Sequence, residues 1–230
     1  MTRTLACIIP AFDEAPRIGR VLAAVLDHPQ FAEVIVVDDG SSDGTAELAE
    51  ALCPHHPALR VLRMARNGGK SRAIAAGIEA ARSDLVMLLD SDLVGLAGSD
   101  LSALAAPVIE GRAGAALSLR RNAPLPWRLL GIDYISGERI MPRALLAEHL
   151  DAIRALPRFG LEVFMNGLWL RQGLRIAVVH WPGVDSPFKH AKRGRLAGIA
   201  ADAAMMRDIF RTVSPLQAAR QIVTLRARRV

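Results

Sequence analysis

The sequence predicts an α/β fold with a mainly parallel sheet flanked by helices, and three observations carry that reading. Short apolar runs of strand length alternate with helical segments of about 10 to 15 residues, the order that builds β–α–β units with right-handed crossovers. Each of the first four apolar runs ends in polar chemistry: Glu14 after the first, Asp38 and Asp39 after the second, Asn67 and Lys70 after the third, Asp90 and Asp92 after the fourth. Ligands in such sheets sit beyond the carboxyl ends of the strands, so this convergence reads as one site. The fourth run, Leu85 to Leu89, is apolar throughout, as suits a central strand covered on both faces, and it stops at Asp90-Ser91-Asp92.

Taken in order, Leu5 to Ile9 forms the first strand, closed by Pro10, which has no N–H to give a sheet ladder. After AFDEAP, the spacing of Ile18, Val21, Leu22, Val25 and Leu26 predicts an amphipathic helix. Asp13 or Glu14 serves as its cap or first-turn acid, and Pro16 lies near the first helical position. Val34 to Val37 is the second strand and runs into DDGSSDGT, a tight turn that bares backbone N–H groups near a helix start, with Asp43 as the cap. Val61 to Met64 is the third strand. RNGGKSRAIAAGIEAA supplies a glycine turn and a helix of small residues before the fourth strand.

Beyond Asp92 a glycine-containing loop leads to a helix with Leu101, Leu104, Ala105 and Val108 on one face, and Ala115 to Leu119 is another strand. The stretch from Arg121 is proline-rich at its start and is expected to cross the open face before returning at Ser136-Gly137-Glu138-Arg139. Leu161, Phe164, Met165 and Leu168 mark a further helix, with Glu162 near its start, where the dipole favours a carboxylate. Arg175 to Val179 is a strand. From Leu196 two arginine-rich helices follow, dividing the chain into residues 1–194 and a basic tail, 195–230.

The 230 residues are 51% hydrophobic and 23% charged, values of a globular chain, with no run near the roughly 18 apolar residues that a membrane span needs. The first residues lack a secretory pattern, so a cytoplasmic location is expected. Cys7 and Cys53 have no metal or disulfide spacing. The net charge of +6 is uneven: residues 1–120 carry −4 and residues 121–230 carry +10. That bias suits an anionic membrane surface, and a peripheral attachment through the tail is expected. Nucleic acid is not expected, because the basic half lacks the interleaved aromatics of a base-stacking surface.

Alternation along an extended segment points Asp90 and Asp92 to one side, where two hard carboxylates suit Mg²⁺ or Mn²⁺ shared with substrate phosphates. IIPAFDEA, VIVVDDGSSDGT, NGGKSRAIAAGIEAA and LLDSD, in this order and spacing, resemble the pattern of glycosyltransferase family 2 on the GT-A fold. The resemblance is strong over about the first 95 residues and weaker to about residue 194. It implies that Pro10, Ala11, Phe12 and Glu14 line a nucleoside pocket, that Asp39 reads base or ribose, that Lys70 and Ser91 approach the nucleotide-sugar, and that Asp90 and Asp92 hold the metal. It further implies that Ser136, Gly137 and Arg139 face the acceptor or donor sugar, that Glu162 lies near the acceptor hydroxyl, and that Lys189 and Lys192 close over the diphosphate. Where family members often carry a metal-binding histidine this chain has Ser186, with His180 and His190 nearby, so no third ligand is assigned.

The resulting expectation is a metal-dependent glycosyltransferase that moves a sugar from a nucleoside diphosphate sugar to an acceptor hydroxyl, with inversion, on a cell-envelope or lipid-linked acceptor. Two rivals are a sugar nucleotidyltransferase, which would carry an early glycine-rich loop in place of IIPAFDEA, and a catalytically silent nucleotide-binding protein docked at a membrane. Intact Lys70, Asp90, Asp92 and Glu162 speak against the second.

Overall fold

The computed structural model describes residues 3–157, 160–186, 210 and 212–230. Seven strands form one sheet in the order β3-β2-β1-β4-β6-β5-β7. They are β1 (Leu5–Ala11), β2 (Phe31–Asp38), β3 (Leu59–Arg63), β4 (Leu85–Leu88), β5 (Ala115–Arg120), β6 (Arg139–Pro142) and β7 (Ile176–Trp181). Only β6 opposes its neighbours; the pairs β1–β2, β1–β4, β2–β3 and β5–β7 are parallel. The helices are α1 (Ala15–Leu26), α2 (Thr45–Glu50), α3 (Lys70–Ala80), α4 (Gly98–Ile109), α5 (Leu125–Leu130), α6 (Ala144–Ala147), α7 (Leu150–Arg154), α8 (Gly160–Arg171) and α9 (Pro215–Ala227).

The period-2 alternation of the strands divides the core into two layers. Leu5, Cys7 and Ile9 of β1 and Leu85 and Met87 of β4 face α1 and α4, while Ala6, Ile8, Val86 and Leu88 face α3 and α8. Gly77 lets α3 sit directly on β1, since a Cβ there would stand 2.5 Å from Ile8 Cγ2. Among the described residues, no helix is long and apolar enough to cross a membrane.

Four local expectations change. Pro10 does not end β1, which continues to Ala11 with Pro10 opposite Val37. Ile8 O accepts from Leu89 N, so by alternation Pro10 faces β4, where registered pairing has already stopped at Ile8 and Leu88. Neither Asp13 nor Glu14 caps α1 with its side chain; Asp13 takes a left-handed φ of 52° and accepts from Ser42 N, while Asp43 accepts from Ala15 N and Thr45 N, holding the starts of α1 and α2 together. The stretch from Arg121 forms α5 and then returns as β6, a strand too short and too polar at its start to show a period. Finally, α8 is buried around most of its girth, not on one face, because α9 covers it from outside with Ala218 and Leu225.

Of the expected tail, α9 lies within the described residues and its neighbour over 196–209 lies outside them. Tyr134 Oη donates to Gln221 Oε1 at 2.7 Å, and Arg229 Nη1 donates to the Gly131 carbonyl at 2.8 Å, so α9 is fastened to the segment around α5. Leu216, Val223, Arg220 and Arg226 of α9 remain exposed.

Candidate active site

The polar strand exits meet at one edge of the sheet. β1 and β2 end side by side, Ala11 opposite Asp38, and Asp39 N donates to Ala11 O at 2.8 Å. Asp39 is buried and its two carboxylate oxygens accept from Gly68 N (2.8 Å) and Gly69 N (2.7 Å), so it fastens the turn that starts α3. A carboxylate there also suits the positive end of the helix. Asp38 accepts from Ser41 N at 3.2 Å, and its other carboxylate oxygen, also buried, has no hydrogen-bond partner among the described residues. Pro10 and Ala11 are buried at the end of β1, Phe12 is an exposed ring just beyond it, and Glu14 is buried and paired with Arg17.

The glycine turn delivers Lys70, the first residue of α3, into the centre of this edge. Its Nζ lies 2.8 Å from Asp90 Oδ1, at the exit of β4, and 3.2 Å from Glu162 Oε1, in the first turn of α8. Burial works against the Lys70 charge, but Asp90 and then Glu162 outweigh it, and the ammonium is held charged well above its ordinary range. Glu162 is 4% exposed, whereas Asp90 and Asp92 are half-buried and Ser91 between them is buried. That alternation leaves the two carboxylates as hard oxygen donors at the open edge, a set that fits Mg²⁺ or Mn²⁺ completed by substrate oxygens. No cluster of three or more His, Cys, Asp or Glu suited to a metal occurs among the described residues, and Ser186 exchanges hydrogen bonds with Asn122.

Because β6 is antiparallel, its beginning, not its end, lies at this edge. Leu88 pairs with Arg139, which sets Gly137 against Asp90: a Cβ on Gly137 would stand 2.8 Å from both Asp90 oxygens and 2.9 Å from Lys70 Nζ. Gly137 is therefore in the site. Ser136 and Arg139, expected to face a sugar, are instead fully buried beneath it. Ser136 Oγ lies 2.9 Å from Ser118 Oγ and 3.0 Å from Glu138 Oε2, and the Arg139 guanidinium donates to the carbonyls of Ser136 (2.6 Å) and Tyr134 (3.0 Å). Strand pairing turns these side chains inward, which their polarity alone does not foretell. Lys189, His190 and Lys192 lie outside the described residues; His180 is exposed on β7.

Sequence reasoning passed over a buried charge cluster next to the site. Arg120, at the exit of β5, approaches Glu138 Oε2 at 3.4 Å and Asp133 Oδ2 at 3.7 Å, and both carboxylates are fully buried. Burial pushes the Asp133 carboxyl up to about 6, with Arg120 pulling the other way. Burial disfavours the Arg120 charge, but Glu138, Asp133 and the nearby Asp90 and Asp92 hold it on. The rule that strand exits carry polar chemistry, applied to the fifth apolar run, points to Arg120.

The sequence model described as Glycosyl transferase family 2 matches residues 6–149, more than half of the chain. The chain belongs to this family. Among curated relatives, a dolichyl-phosphate beta-glucosyltransferase of Trichomonas vaginalis is 35% identical over 93 residues, 36% of this chain and 28% of that protein. An undecaprenyl-phosphate 4-deoxy-4-formamido-L-arabinose transferase of Aeromonas hydrophila is 38% identical over 94 residues, 39% of this chain and 29% of that protein. The aligned stretch thus spans less than a third of these relatives. In overall fold the family member resembles glucosyl-3-phosphoglycerate synthase of Mycobacterium tuberculosis, solved with Mn²⁺, UDP and glucosyl-3-phosphoglycerate, with a TM-score of 0.69 and 24% identity over 91% of this chain and 80% of that one.

Proposed function

We propose that this chain moves a sugar from a nucleoside diphosphate sugar to an acceptor hydroxyl, with inversion at the anomeric carbon. The observation that carries this is the Lys70 ammonium held between Asp90 and Glu162, at 2.8 and 3.2 Å, where the ends of β4, α3 and α8 meet. In the reaction the acceptor oxygen bonds to the anomeric carbon, the bond from that carbon to the diphosphate oxygen breaks, and the acceptor proton passes to a Glu162 carboxylate oxygen. Lys70 faces the departing diphosphate, whose charge it offsets. A divalent cation on Asp90 and Asp92 would supply further compensation for that leaving charge. Pro10, Ala11, Phe12 and Glu14 line the nucleoside pocket, with Asp39, fixed by Gly68 N and Gly69 N, at the base or ribose and Ser91 at the nucleotide-sugar. Lys189 and Lys192 complete the reading as the diphosphate loop.

The test is thermal denaturation against a panel of nucleoside diphosphate sugars, with and without Mn²⁺. A ligand at about 100 times its Kd adds roughly 2.7 kcal/mol. Absence of stabilisation by every donor, with metal present, refutes the reading.

The acceptor is proposed to be lipid-linked, since relatives named for dolichyl-phosphate and undecaprenyl-phosphate are similar to this chain over 36% and 39% of its length. Residues 1–194 serve as the catalytic domain, and the basic tail, 195–230, as the part that meets an anionic bilayer. Support comes from the side chains that α5 and α9 leave outside: Leu125, Leu129, Leu216 and Val223 are exposed, and neither helix carries a carboxylate. Apolar and basic groups together suit an anionic interface, at about 1 kcal/mol per basic residue near the surface. Sedimentation with phosphatidylglycerol vesicles at low salt checks this; an active protein that stays in the supernatant has a structural tail, and the membrane-docking reading is then refuted.

A further inference from the structure

Arg139 is the most enclosed cation among the described residues, and every arm of its guanidinium is engaged. Nε donates to Ser136 O at 2.6 Å and Nη2 to Tyr134 O at 3.0 Å, both on the loop that enters β6. Nη1 reaches the other way, to Asn166 Oδ1 at 2.6 Å and to Glu162 O at 3.3 Å, both on α8. Asn166 Nδ2 closes the circuit by donating to Tyr134 O at 2.9 Å, and the guanidinium carbon lies 5.0 Å from the centroid of the Trp169 ring.

The two elements so joined are the two walls around Lys70. The loop carries Gly137, which abuts Asp90 and Lys70, and the first turn of α8 carries Glu162, which pairs with Lys70. Arg139, with Asn166 beside it, therefore ties the floor under Asp90 to the helix that presents Glu162. Burying a cation is costly, and an apolar residue of similar size would fill the space with less penalty. A planar fork that satisfies four oxygens on two separate segments does what neither an apolar residue nor a lysine, with its compact ammonium, can do.

We propose that Arg139 is a positioning residue that holds Glu162 at its working distance from Lys70 and Asp90. The inference rests on the reading of Glu162 as proton acceptor. It assigns Arg139 no contact with either substrate, in place of the sugar-facing role that the family resemblance implied.

The test is a double-mutant cycle in steady-state kinetics, run with the nucleoside diphosphate sugar that the wild-type protein turns over, on R139K, E162Q and R139K/E162Q. R139K keeps the charge and loses the fork. Its kcat is expected to fall at least about tenfold with the donor KM within about twofold, because only transition-state geometry is touched. In the E162Q background the same substitution is expected to cost no more than about twofold, since residues acting as a unit are not additive. Wild-type kcat in R139K, or losses that multiply in the double variant, overturns the inference. If R139K does not fold, N166L removes the shorter of the two Arg139 bonds to α8, together with the Asn166 bond to Tyr134 O, and is expected to reproduce the fall in kcat; wild-type kcat in N166L, or failure of both variants to fold, reassigns Arg139 to stability alone. The parent reading fails separately: E162Q with full kcat removes the base assignment, whatever R139K does.

Discussion

Gly137→Ala isolates the close approach of β6 to the carboxylate at the end of β4. The backbone at Gly137 does not need glycine's left-handed freedom, so the effect of a methyl group there is steric. That methyl would lie 2.8 Å from both oxygens of Asp90 and 2.9 Å from Lys70 Nζ. Ordinary carbon–oxygen contact begins about half an ångström further out, since favourable contacts lie near 3.5 Å. Lys70 can retreat, because its ammonium is the end of a flexible chain, but Asp90 is short and anchored by β4. The carboxylate must therefore rotate away, opening its 2.8 Å contact with Lys70. Overpacking of this kind costs about 1 to 3 kcal/mol of stability. A displacement of about half an ångström at a reacting centre is expected to lower kcat about 10-fold, scaled from the roughly 100-fold loss attached to a 1 Å error. Denaturation midpoints establish that the variant is folded, and initial rates across a Mn²⁺ titration report kcat and the metal requirement. Wild-type kcat and an unchanged metal requirement in a folded G137A protein would refute the argument that this glycine spaces Asp90.

Asp92→Asn is expected to abolish the Mn²⁺-dependent part of nucleotide stabilisation while leaving the denaturation midpoint of the ligand-free protein near wild type; full turnover in this variant removes the metal assignment. Glu162→Gln is expected to lower kcat by about 10² to 10⁴ with little change in donor KM, the range for a lost general base, and stopped assays under saturating donor measure it. Asp133 carries a pH signature. Its folded value of about 6 lies above the ordinary 3.8, so the native state holds the proton more tightly than the unfolded chain does. Stability is therefore fully supported below about pH 4 and is lost as pH rises to about 6, by on the order of 3 kcal/mol at 1.36 kcal/mol per unit. Urea midpoints at several pH values should show this decline in the wild type and a flatter profile in D133N; parallel profiles would show that Asp133 does not titrate in this window.

Much of this architecture is a matter of short stretches that speak for themselves. Apolar runs, helical spacing and glycine turns are local properties, so β1 to β5, α1, α3, α4 and α8 could be placed along the chain, and strand ends in a parallel sheet share one edge by topology alone. Lys70 and Asp90 are accordingly legible as strand-exit residues, and Glu162 through the family resemblance. β6 could not be, since four residues beginning with arginine and ending with proline carry no period. Its antiparallel register with β4 is a property of the assembled sheet, and that register alone presses Gly137 onto Asp90 and sends Arg139 inward. The same holds for Asp133, Glu138 and Arg120. Charged residues are ordinarily surface residues, and burial of a set of them is tolerable only when each finds the others, partners that here come from the end of β5 and the loop before β6 and are brought together by folding.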